Sequence, residues 1–142
     1  MVIGAVAVTA GWADERERRI PNRVVLVGAV AALAIAVASG AGWAAVAGAS
    51  TGGGPLLALH LARPAGVGFG DVKLAMVLGA LLGMVHWPLA AVALAVATVL
   101  GLAGAVVVRS WRRSVPFGAC LGAAALVTLA LAPAVGRMLA LW

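Results

Sequence analysis

Charged residues are scarce in this chain of 142 residues. Only 10% of the residues are charged and 65% are hydrophobic, whereas a soluble domain carries roughly 25% charged residues. The mean hydropathy of +1.16 is correspondingly high. This composition excludes an ordinary soluble domain and predicts a protein that lies in a lipid bilayer, where lipid covers the apolar surface.

Cysteine is almost absent, since Cys120 is the single one. An internal disulfide and a cysteine-built zinc site are therefore both excluded, because each needs further cysteine ligands or partners. No other metal or cofactor motif is present, and we expect the protein to work with neither.

Acidic residues are also few, with four against ten Lys and Arg and a formal net charge of +6. In a soluble protein this excess would suggest nucleic acid as a partner. In a membrane protein Lys and Arg instead mark the cytoplasmic loops and meet anionic lipids. We therefore expect the basic residues to interact with the anionic lipids of a bilayer, and we do not expect the protein to bind nucleic acid.

Six apolar segments are candidates for membrane spans: residues 1–13, 24–39, 42–62, 72–86, 88–108 and 116–135. A full span needs about 20 residues, so the first segment is short, yet we expect it to be retained and not removed as a targeting peptide. The third contains STGGGP, which ends at Pro55 and predicts a kink or a partly unwound turn. The prediction is an all-α polytopic membrane protein with about six transmembrane helices, in a single domain over residues 1–142.

Basic residues alternate between the connections that join these segments. The second and fourth connections carry none. The first connection carries Arg16, Arg18, Arg19 and Arg23, the third carries Arg63 and Lys73, and the fifth carries Arg109, Arg112 and Arg113. Because cytoplasmic loops are rich in Lys and Arg, the odd connections are predicted to be cytoplasmic and both termini outside. We expect a multi-pass protein of the inner or plasma membrane.

Glycines recur at a spacing of four residues, in the pairs Gly48 with Gly52, Gly79 with Gly83, and Gly118 with Gly122. Such pairs allow helix backbones to approach closely in lipid. We interpret them as packing positions of a helical bundle.

Two of the four carboxylates, Asp14 and Asp71, lie at the ends of predicted spans. The predicted topology returns both to the cytoplasmic face of the membrane. Two adjacent carboxylates cannot both ionise at low cost, so such a pair shares one proton. The ionised member can then activate water while the protonated member donates to a peptide carbonyl. The hypothesis is peptide hydrolysis without a metal ion or a covalent intermediate.

Other interpretations of these aspartates stay open at this point. Asp14 opens the run DERERR, which is more often a solvated loop, and Asp71 is suitable as a helix cap. A cap alone does not explain Gly68 and Gly70, which would allow another backbone to come close. The alternatives are a small proton-coupled transporter or channel, and a structural membrane protein.

Three segments carry a distinctive combination of residues: DERERRIPN from Asp14 to Asn22, GFGDVKLA from Gly68 to Ala75, and VPFGACLGAAAL from Val115 to Leu126. Together and in this order they resemble the prepilin peptidase family, the GxGD membrane aspartic proteases that remove the leader of type IV prepilins. Presenilin and signal-peptide-peptidase proteases share Gly-x-Gly-Asp but also require Tyr-Asp, and this chain has no tyrosine.

The resemblance implies an aspartic endopeptidase with Asp14 and Asp71 as its catalytic pair. It also implies supporting residues for the two motifs: Gly68, Gly70 and Lys73 around Asp71, and Ile20, Pro21 and Asn22 after Asp14. The implied substrates are prepilins or pseudopilins, cut at the cytoplasmic face after a leader that ends in Gly. Long family members also methylate the new N-terminus and have a domain with paired cysteines; the lack of that domain speaks against methyltransferase activity.

Three further side chains are assigned lesser roles. Lys73 follows Asp71 by two positions, so on a helix it would point away from the carboxylate, and a contact with a lipid phosphate is open beside a catalytic role. His60 and His86 belong to no motif, and we expect packed or interfacial side chains at helix ends.

Overall fold

The computed structural model describes residues 3–9, 22–63, 67–108 and 117–139. Within these ranges the secondary structure is entirely α-helical, and no strand occurs. The helices are α1 (residues 3–9), α2 (Asn22–Ser39), α3 (Gly42–Ala62), α4 (Phe69–Val85), α5 (Pro88–Val108) and α6 (Phe117–Leu139). The predicted all-α class is confirmed for the described part of the chain.

Two helical segments are long and apolar enough to cross a membrane, namely Asn22–Ser39 and Phe117–Ala134. A shorter apolar stretch, Pro88–Gly104, lies within α5. The count of six spans and the location of the termini remain predictions.

Local sequence signals explain where several helices begin and end. Gly40 follows α2 with a φ of 68°, a left-handed conformation that glycine adopts without steric cost and that commonly ends helices. Pro88 begins α5, at the position where a missing backbone N–H costs no helical hydrogen bond. The α2–α3 and α4–α5 connections are accordingly short.

Helix α4 is the centre of the bundle and contacts α2, α3, α5 and α6. Its buried residues are distributed around the whole helix: Val72, Leu74, Ala75, Val77, Leu78, Gly79, Leu81, Leu82 and Gly83. In contrast, α2 exposes large apolar side chains such as Leu26, Val27 and Leu33. An apolar helix that is buried all round is central, whereas an apolar exposed face is suited to lipid.

The most extensive helix contact in the described residues joins α3 to α4, and glycines form its centre. A Cβ atom on Gly83 would lie 2.7 Å from the Cα atom of Gly48, and one on Gly52 would lie 3.0 Å from the carbonyl oxygen of Ala75. A Cβ atom on Gly79 would collide with the carbonyl oxygen of Gly48. Two of the predicted glycine pairs therefore pack against each other, which confirms their interpretation as packing positions.

Of the two alternatives predicted for STGGGP, the unwound turn does not form, since α3 is helical without interruption through Pro55, and a kink there stays a prediction. Proline cannot donate the usual backbone hydrogen bond to the preceding turn. The neighbouring glycines pack directly on α4, where a Cβ atom on Gly53 would lie 3.1 Å from the backbone nitrogen of Met76. We infer that this tertiary packing compensates for the poor helix propensity of the segment.

Candidate active site

Asp71 lies in the first turn of α4, at the end of the helix where backbone N–H groups lack helical partners. The N-cap residue is Gly68, which is extended with φ −66° and ψ 139°. The Gly68 carbonyl accepts hydrogen bonds from the backbone N–H groups of Asp71, at 3.0 Å, and Val72, at 3.4 Å. Asp71 is thus the third helical residue and not the N-cap, and the helix N-terminus favours its negative charge.

The carboxylate of Asp71 folds back towards Gly68. A Cβ atom on Gly68 would lie 3.2 Å from Asp71 Oδ2, a distance at which one of the two groups must shift. Gly70 is half-buried in the same turn of α4. The glycine at position 68 therefore leaves room for the carboxylate.

Asp71 also forms part of the wall of a cleft of about 440 Å³ between α3, α4, α5 and α6. The lining residues are Pro55, Leu56, Leu59, Val67, Asp71, Leu94, Thr98 and Phe117. The Thr98 hydroxyl donates to the carbonyl oxygen of Leu94 at 2.8 Å, so its oxygen can still accept a hydrogen bond. Among the described lining residues Asp71 is the one ionisable group, and most of the others are apolar, a setting that suits a peptide segment.

Lys73 connects the second motif to the end of the first. Its Nζ atom lies 3.5 Å from Oδ1 of Asn22, to which it donates a hydrogen bond, and 4.8 Å from the ring centroid of Phe69. The structure thus gives Lys73 two protein partners, and a contact with a lipid phosphate stays a prediction. Asn22 and the Asp71 turn are brought together although they are far apart in sequence.

Asp14, Ile20 and Pro21 lie outside the residues that the structure describes. The predicted pairing of Asp14 with Asp71 therefore stays a prediction. The other predicted supporting residues are described: Asn22 begins α2, Gly68 is the N-cap of α4, and Gly70 and Lys73 lie in α4.

His60 makes a contact that sequence reasoning missed. Its Nδ1–H group donates to the carbonyl oxygen of Val67 at 2.7 Å, and its ring centroid lies 5.4 Å from that of Phe69. The available signal was its position in the last turn of α3, just before the connection to the Gly-x-Gly-Asp motif. His86 lies at the C-cap of α4, at the opposite end of the helix from Asp71.

A metal centre is not evident in the part of the chain described. No group of three or more His, Cys, Asp or Glu side chains is clustered there as metal ligands would be.

Comparison with known proteins identifies the family. The model of the type IV leader peptidase family matches residues 1–108. This range contains both the Asp14 and the Asp71 motifs and ends before α6, so the segment from Val115 to Leu126 lies outside it. No curated protein and no solved structure matches the chain. Because the family match covers most of the sequence, the chain belongs to the type IV leader peptidase family.

Proposed function

We propose that this protein is a membrane aspartic endopeptidase that cleaves the leader of type IV prepilins or pilin-like proteins. Family membership supports a leader peptidase with prepilin-type substrates in general. The observation that carries the specific proposal is the position of Asp71, in the first turn of α4 and in the wall of an apolar cleft. The contact of Lys73 with Asn22 adds support, because it joins the two motifs that contain the proposed catalytic aspartates.

The proposed reaction uses Asp14 and Asp71 as a general acid and base, with water as the nucleophile. One aspartate is ionised and takes a proton from water as the water oxygen attacks the scissile carbonyl carbon. The other is protonated and donates to the carbonyl oxygen, which gives a tetrahedral diol. The proton held by the first aspartate then passes to the leaving nitrogen while the C–N bond breaks, and the second aspartate takes back a proton from a diol hydroxyl as the carbonyl reforms. The pair returns to its starting protonation state, so no metal ion, cofactor or covalent intermediate is needed.

We propose that the cleft receives the junction between leader and mature protein in an extended form. The apolar walls exclude water around the reacting carbonyl and strengthen its interaction with the carboxylates. The apolar helix that follows the leader in such substrates would remain in lipid beside the bundle. This arrangement needs an active site at the membrane boundary, where both water and the extended junction are available.

The proposed orientation has this site at the cytoplasmic face of a multi-pass, single-domain protein with six spans. The beginning of α2, the end of α3 and the beginning of α4 lie at one end of the bundle, with Arg23, Arg63 and Lys73. Trp43 and Trp87 are exposed at the opposite ends of these helices. Basic residues inside and tryptophans at the interfaces are the usual pattern of membrane proteins.

The test is cleavage of a prepilin-type substrate that is co-expressed in membranes with the full chain. The substrate has a short basic leader ending in Gly, an apolar helix and a C-terminal tag, and the new N-terminus is identified by mass spectrometry. We expect Asp14→Asn and Asp71→Asn each to reduce cleavage at least about 100-fold, because Asn cannot transfer the proton. Glu17→Gln is the matched control and should cleave normally.

Cleavage that survives in either aspartate variant would refute the two-aspartate mechanism. A proton-coupled transporter would instead show proton flux that depends on these residues and no new N-terminus. Asp71, the one carboxylate among the described residues, lies at a helix end and not in mid-helix. Carboxylates that mark ion paths lie within transmembrane segments, so the position of Asp71 at a helix end is the feature that favours the peptidase.

A further inference from the structure

We propose that His60 is a positioning residue that fixes the turn carrying Asp71. It acts through its Nδ1–H bond to the Val67 carbonyl, one residue before the N-cap of α4. The catalytic consequence rests on the proposed function, whereas the structural consequence can be measured without any substrate.

The bond from His60 has a defined donor. A carbonyl oxygen can only accept, so the proton must be on Nδ1, and Nε2 is then the acceptor of the neutral ring. Protonation of the ring leaves Nδ1–H in place, so the bond to Val67 exists in both charge states. A distance of 2.7 Å is short for a hydrogen bond donated by nitrogen. His60 is half-buried, which limits competition from water.

The bond acts where the backbone has most freedom. Val67 is followed by Gly68, and glycine loses more conformational entropy on ordering than any other residue. The Gly68 carbonyl in turn accepts hydrogen bonds from the N–H groups of Asp71 and Val72. An anchor on the Val67 carbonyl therefore limits the conformations of Gly68 and, through it, the placement of the Asp71 turn. Val67 and Asp71 line the same cleft.

The ring of His60 gives a second connection to the same turn. It lies against the ring of Phe69, with the two planes 35° apart, and Phe69 also contacts the ammonium group of Lys73. Lys73 then reaches Asn22. The contacts of His60 thus connect the last turn of α3, through Phe69 and Lys73, to Asn22, the residue that ends the first motif.

Three substitutions distinguish the effect of the hydrogen-bond donor of His60 from the effect of its ring. In His60→Asn the amide nitrogen is attached to Cγ as Nδ1 is, so the donor is kept. In His60→Gln the amide nitrogen lies one bond further out and corresponds to Nε2. His60→Phe keeps a ring against Phe69 and removes the donor. All three are made in the full chain, with His86→Phe as the matched control at the opposite end of α4.

The first readout is the kinetics of the same leader cleavage. We expect His60→Phe and His60→Gln to lower kcat about 10- to 100-fold, since small misplacement of a catalytic group has effects of this size. KM should change little, because His60 does not line the cleft. His60→Asn should recover most of the wild-type kcat, and His86→Phe should equal wild type. Equal kcat in all variants, or recovery by Gln and not by Asn, would overturn the proposal.

The second readout is amide hydrogen exchange of the purified full chain in lipid nanodiscs. The amides of Asp71 and Val72 should exchange faster in His60→Phe and His60→Gln than in wild type, and at the wild-type rate in His60→Asn. Unchanged exchange in both His60→Phe and His60→Gln would overturn the positioning role. If wild-type protein cuts no prepilin-type substrate, the proposed function fails, while exchange still decides the role of His60. If His60→Phe does not fold, the comparison of Asn with Gln is sufficient.

Discussion

The ammonium group of Lys73 lies 3.5 Å from the side-chain oxygen of Asn22, and this contact joins the two motifs that define the family resemblance. Lys73 is in the second turn of α4, and Asn22 begins α2. The contact brings the end of the Asp14 motif beside the helix that carries Asp71. The position of Asp14 itself is still a prediction. The proposed pairing of Asp14 with Asp71 can be tested through this contact, because its loss should slow cleavage.

Lys73→Met and Asn22→Ala should each slow leader cleavage about three- to tenfold, the effect of losing one ordinary hydrogen bond of about 0.5–1.5 kcal/mol, because this bond is long and exposed. The double variant should be no slower than the more affected single variant, because both remove the same contact. The measurement is kcat/KM for all four proteins. Arg63→Met is the control, because it removes a basic side chain at the C-cap of α3, at the same end of the bundle. Losses in kcat/KM that are strictly additive in the double variant would contradict a shared role.

Gly68→Ala should reduce kcat about tenfold without unfolding the protein. The backbone angles of Gly68 are open to any residue, so alanine introduces no backbone strain there. Its Cβ atom would lie 3.2 Å from Asp71 Oδ2, which displaces the carboxylate slightly, and such displacement is costly in a catalytic site. Cleavage is measured alongside the thermal unfolding temperature. A wild-type kcat would show that the room beside Asp71 is not needed.

Gly83→Ala should lower the free energy of unfolding by about 1–3 kcal/mol, the cost of inserting a methyl group into packed structure. The added Cβ atom would lie 2.7 Å from Gly48 Cα, where only backbone movement can make room. The measurement is reversible unfolding in mixed detergent micelles.

Gly54→Ala is the matched control for Gly83→Ala, since nothing lies within 4 Å of a Cβ atom at position 54 in α3. This change should be neutral or stabilise by up to about 1 kcal/mol, the difference in helix propensity between Ala and Gly. Equal stability of the two variants would contradict the close approach of α3 and α4.

The predicted orientation can be tested with single cysteines introduced into a Cys120→Ala background. Ser39→Cys, at the end of α2, should react with an impermeant maleimide added to intact cells. Arg63→Cys, after α3, should react only once the membrane is permeabilised, because its basic end is expected to be cytoplasmic. Labelling of both from outside would exclude the proposed cytoplasmic active site.

Helix positions were largely predictable from the sequence because hydropathy and Gly or Pro at helix ends are local signals. Residues 42–62 and 88–108 were predicted as spans, and α3 and α5 have the same limits. The predicted start at residue 72 was late for α4, which begins at Phe69. The glycine and polar residues of that turn have low hydropathy, so the hydropathy pattern does not include them in the span. The turn is nevertheless helical, because the Gly68 carbonyl accepts the first helical hydrogen bonds.

The all-α membrane class, the two aspartate motifs and the glycine packing positions were determined by the sequence alone, since composition and residue spacing are sufficient for each. Only the tertiary structure decided that α3 stays helical through Pro55, that Lys73 meets Asn22, and that His60 donates to the carbonyl oxygen of Val67. The physical reason is that these features depend on how helices pack. Packing brings together groups that are distant along the chain, and no local pattern specifies which side chains will meet.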